Sequence, residues 1–246
     1  MAYIAQSERK SLLAPVLFML VVGTILISLG VWQLHRLAWK ETLIAEIATR
    51  SKAPPQPPPG PSEWNRLAPA DYAYRHVEFA GRYENDKEAL VFYGAGPHDL
   101  GPGYLILTPL RLDSGAIVIV NRGFVPVELA AKSARAAGEI EGEAHVTGLM
   151  RPPQPRNLFT PADEPDKGIY FTRDPAAIAA HFGLTQTAPF VVDADDTPVP
   201  GGWPKGGMTE IDIPNNHLDY ALTWFGLAVG LFAVFVGYLR ARWHGE

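Results

Sequence analysis

His217-Leu218-Asp219-Tyr220-Ala221-Leu222-Thr223-Trp224-Phe225 opens an apolar run that carries no charge from Tyr220 to Leu239, and its reading decides the fold. About 20 uncharged residues is the length a helix needs to cross a hydrocarbon core of about 30 Å. The stretch therefore predicts a membrane-spanning helix over residues 214–239, with Asn216 as N-cap and Asp219 in the first turn, where the helix dipole favours a carboxylate. His217 falls at the mouth of that helix. The positive end of the dipole disfavours imidazolium, so a neutral ring with a free lone pair, the form that ligates a metal, is expected there. Tyr220 and Trp224 follow at i+3 and i+7 on the same face. The three residues also suit a plainer role as interfacial anchors, because amphipathic rings gather at headgroup level.

The whole chain of 246 residues has a net charge of -5 and an average composition that resembles a soluble protein. The average misleads, because the apolar residues gather at both ends and the middle is rich in proline and glycine. The sequence holds no cysteine, which excludes disulfides, thiolate metal sites, iron–sulfur clusters, a catalytic thiol and covalently attached haem. Any metal must then be held by histidine or carboxylate. No dense basic stripe occurs, so a nucleic-acid partner is not expected.

At the other end, a polar leader (1–11) with Arg9 and Lys10 precedes a second uncharged run, residues 12–34, long enough to span. A cleaved signal peptide is the rival reading, with Ser28 and Gly30 as small residues before a start near Val31. The run exceeds the usual core of about 7–15 residues in such a peptide, and N-terminal sequencing would decide. Two spans place both termini on one side of the membrane. Arg240 and Arg242 in the tail (240–246) favour a cytoplasmic side, although Arg36, Lys40, Arg50 and Lys52 after the first run pull the other way. Trp32 and Trp39, seven apart, share a helical face, and the helix is expected to continue beyond the membrane over residues 35–52. Arg36 falls near the same interface as His217, placed to meet an anionic ligand group or to snorkel to lipid phosphates.

Residues 53–61 contain six prolines and predict a stiff spacer. Residues 62–213 predict a β-rich, α+β domain, a partly closed barrel outside the membrane. Its strands are expected at Tyr74–Tyr83, Ala89–Tyr93, Tyr104–Leu112, Ala116–Val125, His145–Met150 and Pro189–Val192. One helix is expected over Pro175–Phe182, with Asp174 as N-cap and Gly183 as its stop. Gly94-Ala95-Gly96 and Gly101-Pro102-Gly103 read as turns, and Asp193, Asp195 and Asp196 as a solvated loop. Asn121-Arg122-Gly123 reads as either a turn or a docking edge. His76, His98, His145, His181 and His244 lack ligand spacing, and no nucleophile elbow, phosphate loop or dinucleotide fingerprint is present, so no enzyme activity is expected.

Together these segments make the chain similar to the surfeit locus protein 1 family. The resemblance rests on Gly30-Val31-Trp32-Gln33 with Arg36 and Lys40, Gly103-Tyr104 before Thr108-Pro109-Leu110, Asn121-Arg122-Gly123-Phe124-Val125-Pro126, and Asn215-Asn216-His217-Leu218 with Tyr220-Ala221-Leu222-Thr223-Trp224-Phe225. Phe124 stands where many members have tryptophan. The resemblance implies a non-catalytic assembly factor for haem-copper cytochrome c oxidase, with two spans flanking an outer domain that is periplasmic in bacteria. It implies noncovalent binding of haem a through His217 and delivery to the oxidase catalytic subunit. A pocket between the two spans, with Tyr220, Trp224 and Arg36 beside His217, is the expected site. Haem a synthase, membrane lipid and a second copy of the chain are further expected partners. The short leader resembles bacterial members, which places the protein in the bacterial inner membrane. The alternative is a scaffold that holds an oxidase subunit open and binds no haem itself.

Overall fold

A computed structural model describes residues 12–94, 96, 100–208 and 213–244. The expected leader 1–11, Ala95, His98 and the last two residues of the tail lie outside them. The chain divides into two compact units, residues 46–211 and residues 1–45 with 212–246.

Among the described residues, α1 (Leu13–Lys52) and α4 (His217–His244) are long and apolar enough to cross a bilayer. Pro15 lies in the first turn of α1, where the missing N–H costs no hydrogen bond. At 1.5 Å per residue α1 measures about 60 Å, twice a hydrocarbon core, and it runs on past Leu34 without a break. At the start of α4 the Asn216 carbonyl accepts the Tyr220 N–H at 3.3 Å, which puts Asn216 at the N-cap position. The two helices meet along one seam. Its closest approach is at Gly30, where an added Cβ would stand 2.6 Å from the Phe225 ring. Gly226 and Gly230 of α4 have nothing within 4 Å of an added Cβ. The small residue that admits the partner helix lies in α1.

The second unit contains β1 (His76–Tyr83), β2 (Ala89–Tyr93), β3 (Gly103–Arg111), β4 (Ile117–Pro126), β5 (Glu143–Arg151), β6 (Ile169–Tyr170) and β7 (Thr187–Ala194), with helices α2 (Pro69–Tyr72) and α3 (Pro175–Phe182). Five strands, in the order β1-β5-β7-β4-β3, close into a barrel because β1 also pairs with β3 through Arg82↔Arg111 and Tyr83↔Leu110. The barrel is thus fully closed. β2 and β6 extend from β3 outside the ring. β7 is the last strand in sequence, yet it lies between β4, which it parallels, and β5, which it opposes.

The two faces of β4 explain its unbroken apolar run. Val118 and Val120 join Leu110, Val146, Met150 and Phe190 in one buried cluster, while Ile117 and Ile119 join Leu107, Phe124, Val191 and Ile178 of α3 in another. A strand covered on both sides needs no polar alternation. The helix α3 follows its local signals: the Asp174 carboxylate accepts the N–H groups of Ala176 and Ala177, and Gly183 ends it at φ 61°. β6 is only two residues long and had no sequence signal. The proline-rich segment is not free of the domain, since Gln56 bonds by backbone to His76 and Glu78 and forms a bridge with Val77.

Asn121-Arg122-Gly123 is neither a turn nor an edge but the buried middle of β4. Asn121 donates to Asp193 at 2.8 Å and accepts the Gly123 N–H at 3.1 Å. Gly123 sits at φ 124° beneath the Lys205 carbonyl, where any Cβ would collide. Arg122 donates to the Gly138 carbonyl, approaches Glu139 at 3.5 Å and stacks on the Tyr83 ring at 4.7 Å. Burial pushes the Tyr83 phenol up to about 12, against the opposing pull of Arg122. Asp193, expected in a solvated loop, is buried in β7 and takes a 3.0 Å bond from Arg173 and an ion pair with Arg151. Only Asp195 and Asp196 lie beyond the strand.

Candidate site at the helix seam

The seam between α1 and α4 is built from residues at helical spacing. On α1 they are Gly30 and Gln33; on α4 they are His217, Ala221 and Phe225. As the α4 number rises from His217 to Phe225 the facing α1 number falls from Gln33 to Gly30, so the helices run in opposite senses. Ala221 is 1% exposed and Gln33 8% exposed, enclosed positions of a helix pair whose other faces are largely open.

At the head of this seam His217 Nδ1 lies 2.7 Å from Gln33 Oε1. An amide oxygen only accepts, so the ring nitrogen donates, and the imidazole is held with its proton on Nδ1. In the neutral ring the lone pair then falls on Nε2, which makes no hydrogen bond to any described residue. Two residues earlier, Asn215 Oδ1 is buried without a hydrogen-bond partner among the described residues. A dative nitrogen and an unspent acceptor are therefore set close together in sequence at the N-terminal end of α4.

The expected site residues divide. His217 stands in the seam, and Trp224 is half-buried at its flank. Tyr220 is 56% exposed, turned away from the buried line through Ala221. Arg36 is exposed and stacks its guanidinium over Trp39 at 4.2 Å, one turn further along α1. No described hydrogen bond or ion pair joins Tyr220 or Arg36 to His217. Gln33 was not among the candidates. Its sequence signals are its place in the Gly30-Val31-Trp32-Gln33 motif and an amide within an apolar run, a position that demands a polar partner.

The donor set bears on what could bind. Among the described residues no three His, Cys, Asp or Glu side chains gather into a metal site. One imidazole therefore suits an iron that brings its own equatorial ligands, which is the case of haem. The seam itself is filled at Ala221 and by Phe225 on Gly30.

Comparison with known proteins follows the same residues. The model of the SURF1 family matches residues 20–229. A SURF1-like protein of Monosiga brevicollis is 34% identical over 236 residues, covering 91% of this chain and 87% of that protein. Surfeit locus protein 1 of Homo sapiens is 34% identical over 239 residues, covering 91% of this chain and 76% of its own length. The Rattus norvegicus protein of the same name is 33% identical over 224 residues, with 85% and 71% covered.

Proposed function

The chain belongs to the SURF1 family of non-enzymatic cytochrome c oxidase assembly factors, and on that premise we propose that it carries haem a noncovalently and hands it to the oxidase catalytic subunit. The observation that supports this reading is the His217 imidazole, fastened through Nδ1 and left with Nε2 unspent at the rim of the seam. His217 Nε2 would hold the iron that haem supplies when bound. Trp224 and Tyr220 offer apolar and aromatic surface on the same helix, and Arg36 on α1 offers a cation for a propionate. A carrier needs a ligand that lets go, and a single neutral imidazole with no closed metal cage has that character.

The proposed setting is the bacterial inner membrane, with α1 and α4 spanning, both termini cytoplasmic and the barrel periplasmic. Arg240 and Arg242 beyond the uncharged run of α4 support that sense. Haem a synthase as donor, lipid around the spans and a second copy of the chain complete the proposed set of partners.

The test is the visible spectrum and extracted pigment of the detergent-purified full chain and its His217→Ala variant, made in cells that synthesise haem a. Wild type should carry haem a in near-stoichiometric amount, and the variant should lose it or show a shifted spectrum at normal abundance. A colourless, folded wild type transfers the weight to the scaffold reading, in which the chain holds an oxidase subunit open without binding cofactor.

A further inference from the structure

We propose that Gln33 is the positioning residue of this site: it fixes His217 in the Nδ1–H tautomer and, being an amide rather than a carboxylate, keeps Nε2 a weak and exchangeable ligand. This deepens the haem-carrier reading and its second half rests on it. The geometry is direct, since a 2.7 Å contact to an amide oxygen holds a proton on Nδ1, so that in the neutral ring the lone pair is on Nε2. Enclosure adds weight. Gln33 is 8% exposed within an apolar helix, beside the 1% exposed Ala221, and a buried amide without a partner there would be destabilising. Replacing Gln33 by leucine would suit the span better if packing were its only duty.

The choice of amide carries the second half. The partner of a ligating histidine fixes ring orientation and sets ligand basicity, and a carboxylate there strengthens the bond to iron. Gln33 has the length of glutamate but no charge. It therefore gives the orientation without the added donor strength, which suits a protein that must release its cargo.

Two readouts on the full chain in detergent test this. In the first, ring-15N-labelled apoprotein is examined by NMR, with His217 assigned by its loss in His217→Ala. The wild type should show Nδ1–H with a bare Nε2, and Gln33→Leu should move the ring toward Nε2–H. A wild-type His217 found as Nε2–H overturns the assignment. In the second, haem-loaded protein is mixed with apomyoglobin and its reduction midpoint is measured. Gln33→Leu should lower haem affinity by about 10–100-fold, whereas Gln33→Glu should lower the midpoint potential and slow transfer severalfold. If both variants match wild type in tautomer, midpoint and transfer rate while His217→Ala still loses haem, the carrier reading stands and the Gln33 role is overturned. A colourless wild type overturns the carrier reading and the release argument with it; the tautomer is read without haem and decides the positioning role by itself.

Discussion

The barrel and the helix seam both bury polar side chains, and they treat them in opposite ways. Among the described residues of the barrel unit, each buried charge has an oppositely charged neighbour. Arg135 meets Glu88 and also pairs with Glu139 at 3.1 Å, and Arg122 approaches the same Glu139. Asp193 is shared among Asn121, Arg173 and Arg151. In the seam a neutral pair stands almost alone, and the His217 ring keeps one nitrogen out of the bargain. Charges balanced by opposite charges within the unit hold a fold together. A group held firmly by one atom and left open at the next is arranged for a visitor.

The strongest way to break this contrast is to take one charge from the barrel. Glu88→Ala removes the buried partner of Arg135, whose side chain is 1% exposed, leaves Glu139 alone to balance both Arg135 and Arg122, and should cost about 3–5 kcal/mol. Chemical denaturation of the full chain followed by near-ultraviolet dichroism would measure it, with the haem spectrum of the surviving folded fraction unchanged. Next is Gly30→Val, which forces the Phe225 ring out of its seat; overpacking of this kind costs about 1–3 kcal/mol. Its mark should be the reverse, with barrel unfolding unaltered and the His217 NMR signal shifted as the contact to Gln33 opens.

The smallest effect concerns pH. Burial pushes the Glu84 carboxyl up, but hydrogen bonds and charge from Lys87 and Arg111 outweigh it, leaving the group below its ordinary value of 4.5. A carboxyl depressed on folding adds stability that is present above its ordinary value and is lost as pH falls through the folded one. Glu84→Gln should therefore flatten part of the acid limb of barrel stability, by about 1 kcal/mol or less for a pair this near the surface. Unfolding midpoints across the acid range would show it, and an unchanged slope would count Glu84 among the idle surface charges.

The elements with strong local signals were legible in the sequence. α3 begins and ends where Asp174 and Gly183 require, β2 matches residue for residue, and the two-faced burial of β4 follows from its unalternating run. β6 was not legible, because two residues held by pairing with Leu90 and Val91 have no pattern of their own. Barrel closure and the burial of Asp193 depend on which distant strands meet, and no local spacing encodes that. At the seam, the mouth of α4 announced His217, whereas Gln33 could be found only by knowing which face of α1 turns toward α4. The same knowledge is needed to single out Gly30 as the close-packing glycine.

The position of β7 has a consequence for the order of events during synthesis. Strands β1 to β5 leave the ribosome first, but the ring cannot shut until Thr187–Ala194 slides between β4 and β5, and Lys205 then pairs across Phe124. Until that moment two long edges stand open, and such pairings across distant sequence are slow to form. A chain halted before residue 187 would be a half-built ring with adhesive sides, so the stretch between the two helices reaches its finished shape only as the second helix is about to be made.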